Sequence, residues 1–474
     1  MNNFVPAWLK QPANLNQVEE HLWPANFVRE ENGEVSIGGV PVSQLTAQFG
    51  TPLYVIDQED FFTRATRVER ALSAAAESIG STAKVYYAGK AFLSTEIAAW
   101  ISELGLNLDV SSGGELSAAL AGGIPAERLG LHGNNKSLVE IGRAVAAGVG
   151  AIVIDSDIEL ERIASAAQAQ GKVQAVRIRV NAGVHAHTHE FLATAREDQK
   201  FGVARADVAE MVARIRQDSH LKFLGIHSHI GSQIFEADGF VEAARRLISV
   251  HAELLKTGEV AELNLGGGFG INYTTADNAP EIESIAFKIA AGVKQACEEA
   301  GVPIPVLAFE PGRYISGPAG ITLYSVGTIK DVAVTEDGVT QVRKYVSVDG
   351  GMSDNARPSL YSADYTARLV SRASSATPAV SRVVGKHCES GDIVVRNDYL
   401  PADIAANDVI AVAATGAYCH SLASNYNFLT RPPVVAVLGG QARLIVRSET
   451  EADLFARDVR YQEQNQQNAR NGNE

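Results

Sequence analysis

Lys90 follows directly on a short apolar run, in Tyr86-Tyr87-Ala88-Gly89-Lys90-Ala91. A lysine amine so placed can attack a carbonyl carbon and form a Schiff base; the position also suits an ordinary surface lysine on a loop. Gly266-Gly267-Gly268-Phe269-Gly270 puts three glycines in succession. Such a run can turn its N–H groups toward an anion, or simply act as a flexible turn. Its spacing is not G-x-G-x-x-G, and the polar stretch 272–278 is a poor first turn for a nucleotide-binding helix. Glu310-Pro311-Gly312-Arg313 offers a carboxylate, a fixed bend, open N–H groups and a cation, or a structural turn with an ion pair. His227 and His229, two apart, share a strand face, where they can bind metal, stack on a flat ring or sit in the core. His185, His187 and His189 form a second tract resembling a metal site, but in a polar stretch without further ligands. Cys388, in Gly385-Lys386-His387-Cys388-Glu389-Ser390, is either a thiol acid or a buried inert side chain.

These groups need elements that bring them together. Between about residues 58 and 320, eight short β-type runs alternate with Ala-rich helical stretches: 85–88, 106–110, 129–132, 151–155, 176–180, 223–228, 262–265 and 306–310. Consecutive apolar positions are expected of parallel strands covered on both faces. Eight such units predict a closed (β/α)8 barrel; an open doubly wound sheet is the alternative. In a barrel, chemistry collects at the C-terminal strand ends. There the sequence places Lys90, Asp109, His132, Arg179, His227, His229, the glycine run and Glu310.

After about Ser316 the texture changes to strands without regular helices, at 321–330, 343–348, 392–395, 408–413 and 433–446. This predicts a β-sandwich or small β-barrel domain. Short strand-like pieces within 35–56 are expected to join it, with the larger barrel inserted between. The expected division is an N-terminal extension (1–25), N-terminal strands (26–57), the (β/α)8 barrel (58–319), the β domain (320–455) and a disordered tail (456–474). Both chain ends look dispensable.

The 474-residue chain carries 41 Lys+Arg against 55 Asp+Glu, a net charge of −14, which disfavours general nucleic-acid binding. No apolar run approaches the roughly 18 residues of a membrane span, and no signal-peptide order is present. Three cysteines form neither a disulfide framework nor a zinc pattern. A reduced, cytoplasmic, globular protein is expected.

Taken in order, the segments 87–91, 132–136, 227–232, 266–270, 310–313, 356–358, 388–390 and 416–418 resemble the diaminopimelate decarboxylases, of the alanine-racemase-like, fold type III pyridoxal-phosphate enzymes. The resemblance spans about residues 30 to 450. It implies an (α/β) barrel plus β domain, pyridoxal 5'-phosphate as cofactor and no metal. It implies that Lys90 carries the cofactor as a Schiff base, and that Gly268 and the backbone of Glu310, Pro311, Gly312 and Arg313 bind its phosphate, with Ser232 adding a hydrogen bond. Glu310 would face the pyridine nitrogen, where the racemase branch has an arginine, and His229 would stack on the ring. The implied reaction converts meso-2,6-diaminopimelate to L-lysine and CO2, the last step of lysine biosynthesis. Arg313, Arg357 and Tyr361 would recognise the distal carboxylate, Glu389 the distal ammonium, Tyr418 cofactor and substrate, and Cys388 would return the proton. The Cys388–Ser390 segment of such enzymes enters the partner's site, which implies a homodimer. Related decarboxylases for arginine, ornithine or carboxynorspermidine, and a catalytically dead regulator, are the competing functions.

Overall fold

A computed structural model of the chain describes residues 4–184, 200–336 and 338–464. The histidine tract 185–189 and the tail beyond 464 lie outside these residues.

Near the N-terminus, β1 (Phe27–Arg29), β2 (Val35–Ile37) and β3 (Val40–Pro41) form a small antiparallel sheet, and β4 (Leu53–Asp57) follows. The eight apolar runs then fold as β5 (Ala83–Ala88), β6 (Asn107–Val110), β7 (Leu129–Leu131), β8 (Ala151–Ile154), β9 (Gln174–Arg179), β10 (Leu221–His227), β11 (Glu262–Asn264) and β12 (Val306–Phe309). Every neighbouring pair is parallel, and β12 pairs back onto β5 to close a barrel. The open-sheet alternative is thereby excluded. Consecutive apolar residues make these strands because both faces are covered, as at β8, where all four residues are buried.

The intervening helices start where a serine precedes an apolar repeat. Ser94, Ser112 and Ser137 each accept the N–H three residues on, and Ser137 completes a capping box with Glu140. These caps fix the helices Thr95–Glu103, Gly113–Ala121 and Leu138–Ala147. Each turns its aliphatic stripe inward; Ile141, Ala144 and Val145 do so in the third.

The chain divides into two compact units, Phe62–Ile271 with Asn278–Ile315, and Met1–Phe61 with Asn272–Asp277 and Ser316–Glu474. The first holds the barrel. The second is built on β13 (Gly320–Glu336), β14 (Val339–Val348), β15 (Ala367–Leu369), β16 (Pro378–Val384), β17 (Ile393–Pro401), β18 (Val409–Val412), β19 (Val434–Leu438) and β20 (Gln441–Val446). These join β4 in a mixed sheet ordered β17-β16-β14-β13-β4-β19-β20, with β18 and β15 branching from β13. Within that unit β4 pairs antiparallel with β13 and parallel with β19, so an N-terminal strand does enter the β domain. The strands β1 to β3 keep a sheet of their own.

The N-terminal extension is not dispensable packing. Leu22 and Trp23 are 0% exposed and share a core with Leu53, Leu323 and Val435. Further back, the Phe4 carbonyl accepts a 2.6 Å bond from Arg343. At the other end, residues 459–464 are helical, where the sequence suggested an unstructured tail.

Candidate active site

In the barrel unit, the turn after β5 presents Lys90. Gly89 donates to the Asp109 carbonyl (2.9 Å) and Ala88 to that of Pro311 (3.0 Å), so the turn is stitched to the strands on either side. A Cβ at Gly89 would stand 2.8 Å from the Asp109 oxygen, which explains the glycine. Lys90 itself is exposed. Its charge acts on His229, whose imidazole is held well below its usual pKa, first by burial and then by the Lys90 ammonium. A neutral His229 results, and its Nδ1 accepts the Gly267 N–H at 3.3 Å.

The glycine run packs backbone against backbone. A Cβ at Gly267 would lie 2.1 Å from the Glu310 carbonyl oxygen, and one at Gly268 (φ +111°) 2.4 Å from that of Gly231. A Cβ at Gly312 would meet the Ala88 oxygen at 2.9 Å. No side chain can fill this cradle, which leaves main-chain N–H groups as its chemistry. Beside it Arg313 donates from Nη2 to Ser232 Oγ at 2.9 Å.

Glu310 directly follows β12 with a carboxylate only 10% exposed. Its Oε1 accepts from Asn264 Nδ2 at 2.8 Å, and His227 Nε2 stands 3.0 Å from the same oxygen without hydrogen-bond geometry. His132 Nε2 lies 3.5 Å from the same oxygen and 3.1 Å from Asp109 Oδ1, so it is shared between two carboxylates. Burial alone would raise the Glu310 carboxyl; His227 and His132 outweigh it and hold Glu310 well below the usual range. Burial lowers His227 to about 4 and raises Asp109 to about 6, the latter against the pull of His132. The outcome is an ionised Glu310 with the neutral His227 imidazole against it. No donor among the described residues addresses Oε2, which is left for a ligand cation.

Ligating atoms of His132, His227 and Glu310 lie within 4.8 Å of one another. A metal there is disfavoured by Asn264, which aims an N–H at the oxygen a cation would need. His227 is 1% exposed, with Nε2 3.0 Å from the Glu310 carboxylate, so its place is in the barrel core against that group. Of the two histidines read together in the sequence, only His229 lies beside Lys90's charge and the glycine run.

The remaining candidates lie in the β unit. Arg357, 6% exposed, opens the short helix Arg357–Tyr361. Its guanidinium lies 4.6 Å from the Tyr273 ring and 5.6 Å from that of Tyr365, and Nη1 donates to Tyr365 Oη at 2.6 Å. Tyr361, at the helix end, is 65% exposed. Cys388 is exposed, which excludes the buried inert reading, and its N–H bonds Asn427 Oδ1 at 3.0 Å. The loop beneath is organised by buried Asp392, which accepts the N–H groups of Met352 (2.6 Å) and His387 (2.8 Å). A Cβ at Gly385 would reach within 2.2 Å of that carboxylate. Glu389 Oε1 accepts the Gly391 N–H at 3.2 Å. Tyr418 is half-buried in a turn with φ +61°.

The sequence marks Asp109 and His132 only as strand-end residues without a role and leaves His227 among three readings, and it misses Asn264, Tyr273 and Tyr365. A strand-end position was the only signal for the first two. Nothing in the sequence ties residues 132, 227 and 264 to 310.

A flat cationic heterocycle with a phosphate fits this set: an open carboxylate oxygen, a neutral imidazole, a side-chain-free cradle and a lysine amine. That combination on a closed barrel defines a pyridoxal-dependent decarboxylase, and residues 65–317 match the family described as "Pyridoxal-dependent decarboxylase, pyridoxal binding domain". The chain is 52% identical over 454 residues to the diaminopimelate decarboxylase of Mycobacterium bovis, covering 94% of this chain and 99% of that one. It is 40% identical to that of Bacillus subtilis, covering 91% and 96%. The solved diaminopimelate decarboxylase of M. jannaschii, in complex with L-lysine, superposes with a TM-score of 0.85 at 32% identity, over 92% of this chain and 99% of that one. The chain belongs to the diaminopimelate decarboxylase family.

Proposed function

We propose that this chain decarboxylates meso-2,6-diaminopimelate to L-lysine and CO2 with pyridoxal 5'-phosphate, and works as a homodimer in the cytoplasm. The carrying observation is Glu310: a buried carboxylate held ionised, whose Oε1 accepts from Asn264 while no donor among the described residues addresses Oε2. Bound pyridoxal phosphate supplies an electron sink for the pair left on the α-carbon when the C–C bond to CO2 breaks. Glu310 would keep the ring nitrogen of that cofactor protonated. Lys90 would hold the cofactor through its amine beside His229, and the Gly268 and Glu310–Arg313 backbone, with Ser232, would receive its phosphate. Cys388 gives the α-carbon a proton and regains one from water. Arg313, Arg357 and Tyr361 bind the distal carboxylate, Glu389 the distal ammonium, and Tyr418 borders cofactor and substrate. CO2 release from diaminopimelate, with none from ornithine or arginine, tests the substrate; the reverse preference refutes it.

Support for a homodimer comes from the surface around Cys388 and Glu389. Leu360 (60% exposed), Tyr361 (65%) and Phe428 (63%) are bare apolar side chains close in chain to the contacts that tether this loop, Ser359 to Gly391 and Cys388 to Asn427. Reactive side chains on such a face suit a partner's barrel mouth. Among the described residues no helix is long and apolar enough to cross a membrane.

Glu310→Gln is expected to keep the fold and lower kcat by about a hundredfold, because an amide cannot stabilise a protonated ring nitrogen. Steady-state kinetics at saturating diaminopimelate check this; a wild-type kcat removes Glu310 from the sink.

Arg357→Met is expected to raise KM for diaminopimelate at least about tenfold, since a charge-assisted contact contributes about 1.5–3 kcal/mol. Lys84 is no neutral reference, because its Nζ pairs with buried Glu262 inside the barrel. Exposed Lys222, near the start of β10, serves instead. Equal KM for Arg357→Met and Lys222→Met takes Arg357 out of substrate recognition.

A further inference from the structure

Asn264 ends β11 with 1% of its surface exposed, and its side chain faces two ways. Its Oδ1 accepts the Gly266 N–H at 2.8 Å, and its Nδ2 donates to Glu310 Oε1 at 2.8 Å. Its carbonyl accepts the Ser228 N–H at 2.9 Å, while Glu310 N–H returns to the Gly266 carbonyl at 2.9 Å. One residue therefore links the ends of three adjacent strands, its side-chain amide joining those of β11 and β12 and its backbone carbonyl that of β10. It joins the first glycine of the anion cradle to the carboxylate proposed for the ring nitrogen.

The cradle has no slack with which to absorb movement. Gly266 sits at φ +71°, and a Cβ there would come 2.6 Å from the Ser228 oxygen and 3.0 Å from His229 Nδ1. Gly267 presses on the Glu310 carbonyl in the same way. A shift of Gly266 is thus a shift of His229 and Glu310 as well.

We propose that Asn264 is a positioning residue that clamps the anion cradle and Glu310 into one rigid unit, so that phosphate and ring ends of the cofactor are registered together. This rests on the cofactor reading above and adds to it a link between its two ends. It predicts a particular pattern. Removing Glu310's charge should weaken binding of the ring end alone, whereas removing the Asn264 amide should weaken both ends.

The test measures dissociation constants of pyridoxal 5'-phosphate and of inorganic phosphate on apoprotein, the latter by competition. The expected result for Asn264→Ala is about a tenfold loss for both ligands. For Glu310→Gln it is a loss for the cofactor with phosphate unchanged. Asn264→Asp, nearly isosteric, guards against misfolding. It sets two carboxylates side by side, which share a proton as pH falls and so restore the missing donor. Its cofactor dissociation constant, relative to wild type, should therefore fall toward one with acidification, a change that a merely structural role would not produce. Wild-type phosphate affinity in Asn264→Ala, or a pH-independent ratio in Asn264→Asp, overturns the clamp. Phosphate that fails to compete with the cofactor on wild-type protein overturns the underlying site reading instead, and the clamp with it. Glu310→Gln binding the cofactor like wild type does so from the ring end.

Discussion

Lys90→Ala is expected to lose covalent cofactor entirely and to lower turnover by about a thousandfold or more, the scale seen when a covalent catalytic group is removed. The argument is one of reach. Lys90 follows the C-terminal end of β5, where a barrel-mouth ligand lies, and its charge is felt by His229 beside the glycine cradle. Two other lysines of the barrel unit, Lys136 and Lys84, are committed to partners elsewhere. Lys136 is 3% exposed, and its Nζ is committed to the Gly133 carbonyl (2.7 Å), the Val153 carbonyl (2.6 Å) and Glu159 (2.9 Å). Lys84 lies toward the opposite end of β5 and pairs with Glu262. Borohydride reduction followed by peptide mass spectrometry reads the result directly. Wild type should carry a pyridoxyl group on Lys90 and Lys90→Ala on no residue. An adduct on any other lysine would falsify the assignment, whatever the activity.

The barrel was legible because its strands obey a local rule. Runs such as 151–154 are apolar at consecutive positions, and only a strand covered on both faces needs that. Lys90, the glycines and Glu310 stood out because each punctuates the chain where such a run stops. The convergence on Glu310 was not legible: its polar neighbours come from β10, β11 and the residue after β7, and the closed barrel brings them to one oxygen. Inside the barrel, Arg177 donates to Glu262 at 2.6 Å and to Tyr86 Oη at 2.8 Å. This buried polar knot is hidden in sequence because charged residues within strands read as solvent-facing. The short strands β15 and β16 escaped for a related reason. The latter alternates half-buried residues around Ser381 and Arg382, with no apolar run to mark it. In the β unit, the tyrosines that flank Arg357 lie at 273 and 365, and no spacing rule connects them with 357.

The assembly prediction follows from where the reactive groups sit. If Cys388 and Glu389 complete the barrel site of the partner, every active site is built from two chains. A Lys90→Ala chain then lacks its own covalent anchor but can still lend Cys388. A Cys388→Ala chain has the reverse defect. Each homodimer should be nearly inactive. In a mixed dimer one site collects both defects and the other has neither. Random re-pairing of equal amounts makes about half of the dimers mixed, so roughly a quarter of all sites should be intact in a two-fold symmetric dimer. The measurement is turnover after the two variants are dissociated and re-associated together, with native mass spectrometry counting mixed dimers. Recovery toward a quarter of wild-type activity is expected, with KM unchanged, because the restored sites are chemically complete. Mixed dimers that stay inactive would place Cys388 at its own chain's site, or outside the reaction. The exposed Leu360, Tyr361 and Phe428 make the first outcome the physical expectation, since a face that carries both a thiol acid and bare apolar side chains gains most by being covered.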